Sequence, residues 1–181
     1  MSETPEAGGL RNPELLGIYC NDHLASATGG IELVGRMLST HRGDRFEQPL
    51  EQLLGELREE KAAYLGIMAA LDVPVRQYKQ LGVWVAEKIS RGKLNGRLLS
   101  RSPLSDLVEF EFLASGVRAK RSGFETLRIA AEVEPRLPAE ELERLIDQAH
   151  RQYLWLTDAR REVAAEVFGG SAAAADRTDE T

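Results

Sequence analysis

Leu50, Leu53, Leu57, Glu60, Tyr64, Ile67 and Leu71 follow one another at alternating steps of three and four residues, without a break. That spacing puts all seven on one stripe of an α-helix, and it is the near-heptad period of helices that pack lengthwise in bundles. A half-buried strand needs an apolar residue at every second position, and no segment of the 181-residue chain sustains that alternation. Gln77 to Ile89 comes closest, but its length and the run Ala86-Glu87-Lys88 suit a short helix better.

Three more stripes share the helical period. The first helix is expected over Pro13 to Thr40, with Leu16, Cys20, Leu24, Ala27, Ile31, Val34 and Leu38 in register and Gly43 as its stop. Asn12 and Pro13 form a favoured N-cap and N1 pair. The second helix covers Phe46 to Leu71 and ends at Asp72 and Pro74. The third covers Ser102 to Ala131, with a broad apolar set that includes Leu107, Phe110, Leu113, Val117 and Phe124. The fourth covers Pro138 to Phe168, with Gly169 as its C-cap. Each rod spans roughly 40 Å at ~1.5 Å per residue. Four matched rods predict an all-α fold, a four-helix bundle. Short loops make the first and second helices an antiparallel pair, and likewise the third and fourth. A long, partly helical crossover over residues 74–103 joins the pairs. Residues 1–12 read as a flexible N-terminus, 13–168 as the bundle domain and 169–181 as a disordered tail. Gly29 and Gly30, side by side in the first helix, cost about 2 kcal/mol relative to alanine. The expected return is a close approach of another backbone.

The composition is 43% hydrophobic, enough for one core, which excludes global disorder. A net charge of −6 argues against a surface devoted to nucleic acid. The single Cys20 excludes an internal disulfide framework and a cysteine-based zinc site. The opening MSETPEAGG is acidic and polar, unlike a secretory signal. Ala62 to Leu71, the longest uncharged apolar helical run, is half the roughly 20 residues that span a bilayer. The chain is expected to be cytoplasmic.

The helix count and crossover resemble the ferritin-like bundles. Tyr19-Cys20-Asn21-Asp22-His23-Leu24-Ala25, followed by Gly29-Gly30-Ile31-Glu32-Leu33, is similar to a set of bacterial ferritin-like proteins that carries no assigned chemistry. The resemblance covers about residues 13 to 130 and implies a fold rather than an activity. Metal-binding members of that superfamily place one Glu on helices one and three and Glu-x-x-His on helices two and four. Here the fourth helix offers Asp147-x-x-His150. The second offers Glu56, Glu59 and Glu60 with no histidine, the third Glu109 and Glu111, and the first Asp22, His23 and Glu32. The di-iron set is incomplete. The candidate metal residues are His23, Glu60, Glu109, Glu111, Asp147 and His150, and the cofactor they would hold is iron or manganese; otherwise no cofactor is expected.

Glu60 is the sharpest signal, because a lone carboxylate in an apolar seam costs several kcal/mol unless paired or protonated. The favoured reading is a structural pair with a cation, for which Arg118, Lys120 and Arg121 on the third helix are the candidates; a metal or ligand role is the alternative. His23 borders the first seam at a similar level, so a His23–Glu60 contact with the Tyr19 and Tyr64 hydroxyls is one expectation. It makes either a polar network or half a metal site. Asp147 and Arg151 stand at the spacing of a surface ion pair, and His41 reads as a charge at a helix C-terminus. Cys20 lies on the apolar register and reads as packed.

The crossover carries Arg76, Lys79, Lys88, Arg91, Lys93, Arg97 and Arg101 against Glu87 alone, a local net of +6. It either complements the acidic second helix or presents a basic stripe to nucleic acid, lipid head groups or protein. The function expected from these features is that of a non-catalytic bundle acting by self-association, as a homo-oligomer, or through a protein partner. The alternatives are a carboxylate and histidine metal protein and an anion-binding module on the crossover.

Overall fold

The computed structural model of the chain describes residues 10–76 and 103–169. The readings that fall on residues 1–9, 77–102 and 170–181, including the short helix and most of the basic stripe of the crossover, lie outside the described residues. The four helices are α1 (Pro13–Thr40), α2 (Glu47–Ala70), α3 (Pro103–Ala130) and α4 (Ala139–Phe168). Among the described residues there is no strand.

The helix ends follow local chemistry. Asn12 precedes Pro13 at the N-cap of α1, although its side chain makes no capping bond. At the other end the His41 N–H reaches the Met37 carbonyl at 2.9 Å. The His41 imidazole is buried edge-on against Phe46, with Nδ1 at 2.7 Å from the Asp44 carboxylate. Gly43, at φ +79, makes the turn into α2. Asp44 turns its other oxygen to the Phe46 N–H at 2.7 Å.

α2 ends in a Schellman motif. The Val73 N–H reaches the Met68 carbonyl at 2.9 Å and the Asp72 N–H reaches Ala69 at 3.1 Å. Asp72 takes the left-handed position usually held by glycine, at φ 56. Its carboxylate accepts from Arg136 at 3.1 Å, and Arg136 also forks onto both oxygens of Glu134 at 2.9 Å. This guanidinium ties the α3–α4 turn to the end of α2 and holds the Glu134 carboxyl down at about 2. Asn21 of α1 donates to the Pro74 carbonyl at 3.1 Å and accepts from the Arg76 N–H at 2.7 Å. The chain leaving α2 is thereby held against α1.

α1 packs on α2 and α3 packs on α4, and α1 also meets α3. The interior is divided lengthwise into two apolar clusters. One gathers Leu33, Met37, Leu50, Leu57, Phe110, Val117 and Leu156. The other gathers Cys20, Leu24, Tyr64, Met68, Phe124, Leu127 and Leu145. Tracing each helix through them gives the directions: α1 and α4 run one way, α2 and α3 the other. α2 therefore ends, and α3 begins, at opposite ends of the bundle.

Between the clusters lies a layer that is not hydrocarbon. α2 contributes Glu60 between Leu57 and Tyr64, α3 contributes Lys120 between Val117 and Phe124, and α4 reaches in with Gln152 from the edge of the first cluster, between Ala149 and Leu156. Among the described residues no helix is long and apolar enough to cross a membrane.

Candidate functional site

The layer is held by a closed set of bonds. Lys120 Nζ forms a short ion pair with Glu60 Oε2 and donates to Gln152 Oε1 at 2.6 Å. Gln152 Nε2 donates in turn to Glu60 Oε1 at 2.8 Å and to Glu56 Oε2 at 2.7 Å. Glu60 is 3% exposed and the Lys120 side chain 15%. Burial pushes the Lys120 ammonium below its ordinary range, and Glu60 beside it pulls the other way. Each buried charge thus has an opposite charge and a neutral hydrogen-bond partner, which is what a dry interior demands.

Beside this layer, between α1, α2 and α3, is a cavity of about 400 Å³. Its walls include small residues of two helices, Ala25, Ala27, Gly29 and Gly30 on α1 and Ser115, Gly116, Ala119 and Gly123 on α3, with Leu57, Tyr64, Lys120 and Phe124 beside them. Gly30 therefore does something other than expected. A Cβ built on Gly30 meets nothing within 4 Å, and the same holds for Gly116 opposite. The missing side chains leave space instead of bringing two backbones together.

Inside the bundle, a tight approach lies elsewhere. The His23 ring lies against Gly123, where an added Cβ would stand 2.7 Å from Cε1 and 2.8 Å from Nδ1. Its other neighbour is the Tyr19 ring, with centroids 4.5 Å apart. The imidazole is half-buried on the cavity wall and makes no hydrogen bond among the described residues. Burial pushes its pKa down, with Asp22 opposing, so it is neutral at pH 7.

The six metal candidates are dispersed. His23 and Glu60 line the same cavity, but the Glu60 oxygens are taken by Lys120 and Gln152, and the expected His23–Glu60 contact is not made. Glu109 is buried in α3. Glu111 is exposed and stands 3.7 Å from Arg160. Asp147 is exposed and forms no pair with Arg151, and His150 accepts from Arg121 at 3.3 Å. Among the described residues no three His, Cys, Asp or Glu side chains come together in a way that could hold a metal. Compared with protein-family models, curated proteins and solved structures, the chain matches none.

The site offers little to covalent chemistry. Burial pushes the Cys20 thiol up, and burial with Cys20 alongside pushes the Tyr64 phenol up much further. Neither forms the anion that nucleophilic attack requires at neutral pH. The arrangement can instead accommodate a molecule. Its volume falls in the ~300–1,000 Å³ range of small-molecule sites, and apolar walls with a few polar groups are their usual lining. Sequence reasoning missed Gln152 and the α3 face. Gln152 broke an apolar register just as Glu60 did, so a signal for it was present.

Proposed function

We propose that this chain is a non-catalytic, ferritin-like bundle that binds a small, largely apolar molecule between α1, α2 and α3. The observation that carries the reading is the cavity of about 400 Å³ bounded by glycine and alanine on facing helices. A glycine inside a helix costs about 1 kcal/mol, a cost that a helix needing only to pack could remove with alanine at Gly30, where an added Cβ meets nothing within 4 Å. The up-down-down-up helix order supports the ferritin-like kinship, and the dispersed acids and histidines favour a molecular ligand over iron or manganese.

The test is to fill the space. In Gly30→Leu the first added carbon meets nothing within 4 Å, so the new side chain starts into the open space of the cavity. Titration calorimetry with 1-octanol should show saturable binding of one molecule to the wild type and none to the variant. Equal binding by both would refute the reading.

A second reading, self-association or a protein partner, draws on Leu15, Ile18 and Val75. They are 62%, 41% and 54% exposed, near the point where Asn21 holds Pro74 and Arg76. Light scattering across a wide concentration range should then give a mass above one chain for the wild type and one chain for Ile18→Ser. A single-chain mass for the wild type, with no partner retained, removes this reading.

A further inference from the structure

Among the described residues, the charges on the cavity wall do not cancel. Glu60 and Lys120 neutralise one another, and His23 is held neutral by burial. Lys61 remains. It lines the same cavity, is half-buried, and makes no ion pair among the described residues. Its own helix explains this: one turn away in either direction stand Leu57, Arg58, Tyr64 and Leu65, none of them acidic. Among the described residues the wall thus presents hydrocarbon, the Tyr64 hydroxyl, one ammonium without an ion pair and one imidazole with an unused N–H.

We propose that the occupant is a small amphiphilic monoanion. Its apolar body lies between the small-residue faces of α1 and α3, and its acid head group meets Lys61, with the His23 imidazole as a second donor. The assignment rests on the cavity-binding reading above and adds the sign of the ligand's charge to it. Complementarity excludes a cation, which would meet Lys61 with like charge. It also disfavours a neutral molecule, which leaves the half-buried ammonium without a partner. A dianion would place a second negative charge near Glu60, where the described residues leave no further cation to receive it.

Three probes of equal chain length separate the two readings: sodium octanoate, 1-octanol and octylamine, titrated at low salt and pH 7.5 into wild type, Lys61→Gln and Gly30→Leu. The expected order in the wild type is octanoate, then octanol, then octylamine, with octanoate about fivefold or more tighter than octanol. Lys61→Gln should bring octanoate to the octanol value and leave octanol unchanged. Gly30→Leu should abolish all three. Octanol binding at least as tightly as octanoate, or an octanoate preference that survives Lys61→Gln, overturns the monoanion assignment and leaves the cavity reading intact. Failure of all three probes, or binding that Gly30→Leu does not reduce, overturns both. Binding seen only at dilution, with the probes excluded as the protein dimerises, assigns the cavity to a second copy of the chain and overturns both as well.

Discussion

Lys120→Met removes one ammonium and almost nothing else, since methionine is unbranched and close to lysine in length. In the wild type the Glu60 carboxylate, 3% exposed, has that ammonium on one oxygen and Gln152 Nε2 at 2.8 Å on the other. In the variant only the neutral amide remains, and a charged group is left in a layer bounded by apolar clusters on both sides. Breaking a buried pair in this way costs about 3–5 kcal/mol. A domain has roughly 5–15 kcal/mol in all, so the loss is a large fraction of the total. Removing both charges is a different matter. Glu60→Leu with Lys120→Met exchanges the pair for hydrocarbon, and such exchanges run from neutral to about 1–4 kcal/mol stabilising. Gln152 Nε2 keeps an acceptor in the double variant, because it also donates to Glu56 at 2.7 Å, whereas its Oε1 loses the Lys120 donor, which offsets part of the gain. The assay is urea unfolding at pH 7 followed by the helical circular-dichroism signal, run as a double-mutant cycle. The single variant should lose about 3 kcal/mol or more and the double variant should recover most of it. A loss below about 1 kcal/mol in Lys120→Met, the size found for exposed pairs, would mean that water reaches the layer and that the argument from burial is wrong.

Other outcomes follow from the same geometry. Gly55→Ala and Gly66→Ala, where an added carbon meets nothing within 4 Å, should each stabilise the protein by about 0.8–1 kcal/mol in the same urea assay. Gly123→Ala should lose stability despite the better helix former, because overpacking against the His23 ring costs about 1–3 kcal/mol; in a His23→Ala background the same change should become stabilising. His23 resists protonation when folded but accepts a proton near pH 6.5 when unfolded. Its contribution is therefore complete above that pH and is lost as pH falls through and below it, and His23→Gln should flatten this part of the stability–pH curve. Asn21→Ala strips partners from the Pro74 carbonyl and the Arg76 N–H and should cost about 1–3 kcal/mol, measured by thermal and urea unfolding together.

Helix positions were legible because periodicity reports them directly. The expected segments 13–40, 46–71, 102–131 and 138–168 agree with α1 to α4 to within a residue at each end. Glu60 was legible for the same reason, as a charge where the stripe demanded hydrocarbon, and Lys120 was among its expected partners. His41, expected as a terminal charge, caps α1 and is buried as well. The cavity was not legible. Small residues on one helix read alike whether they admit a neighbour closely or leave a gap, and the difference lies in helix separation, which one stripe does not encode. The six metal candidates could not be placed for a related reason. Periodicity says which face of its own helix a residue occupies, but not which residues of other helices that face meets.

The polar layer also limits how α2, α3 and α4 can move along one another. If one of them slides by a single turn, about 5.4 Å, its hydrophilic side chain leaves its partners and enters a hydrocarbon stack. The layer works as a mechanical detent: the helices may tilt or breathe sideways around the neighbouring void, but lengthwise travel meets a steep barrier in either direction. A guest entering from the side would find the lengthwise alignment of the helices already set.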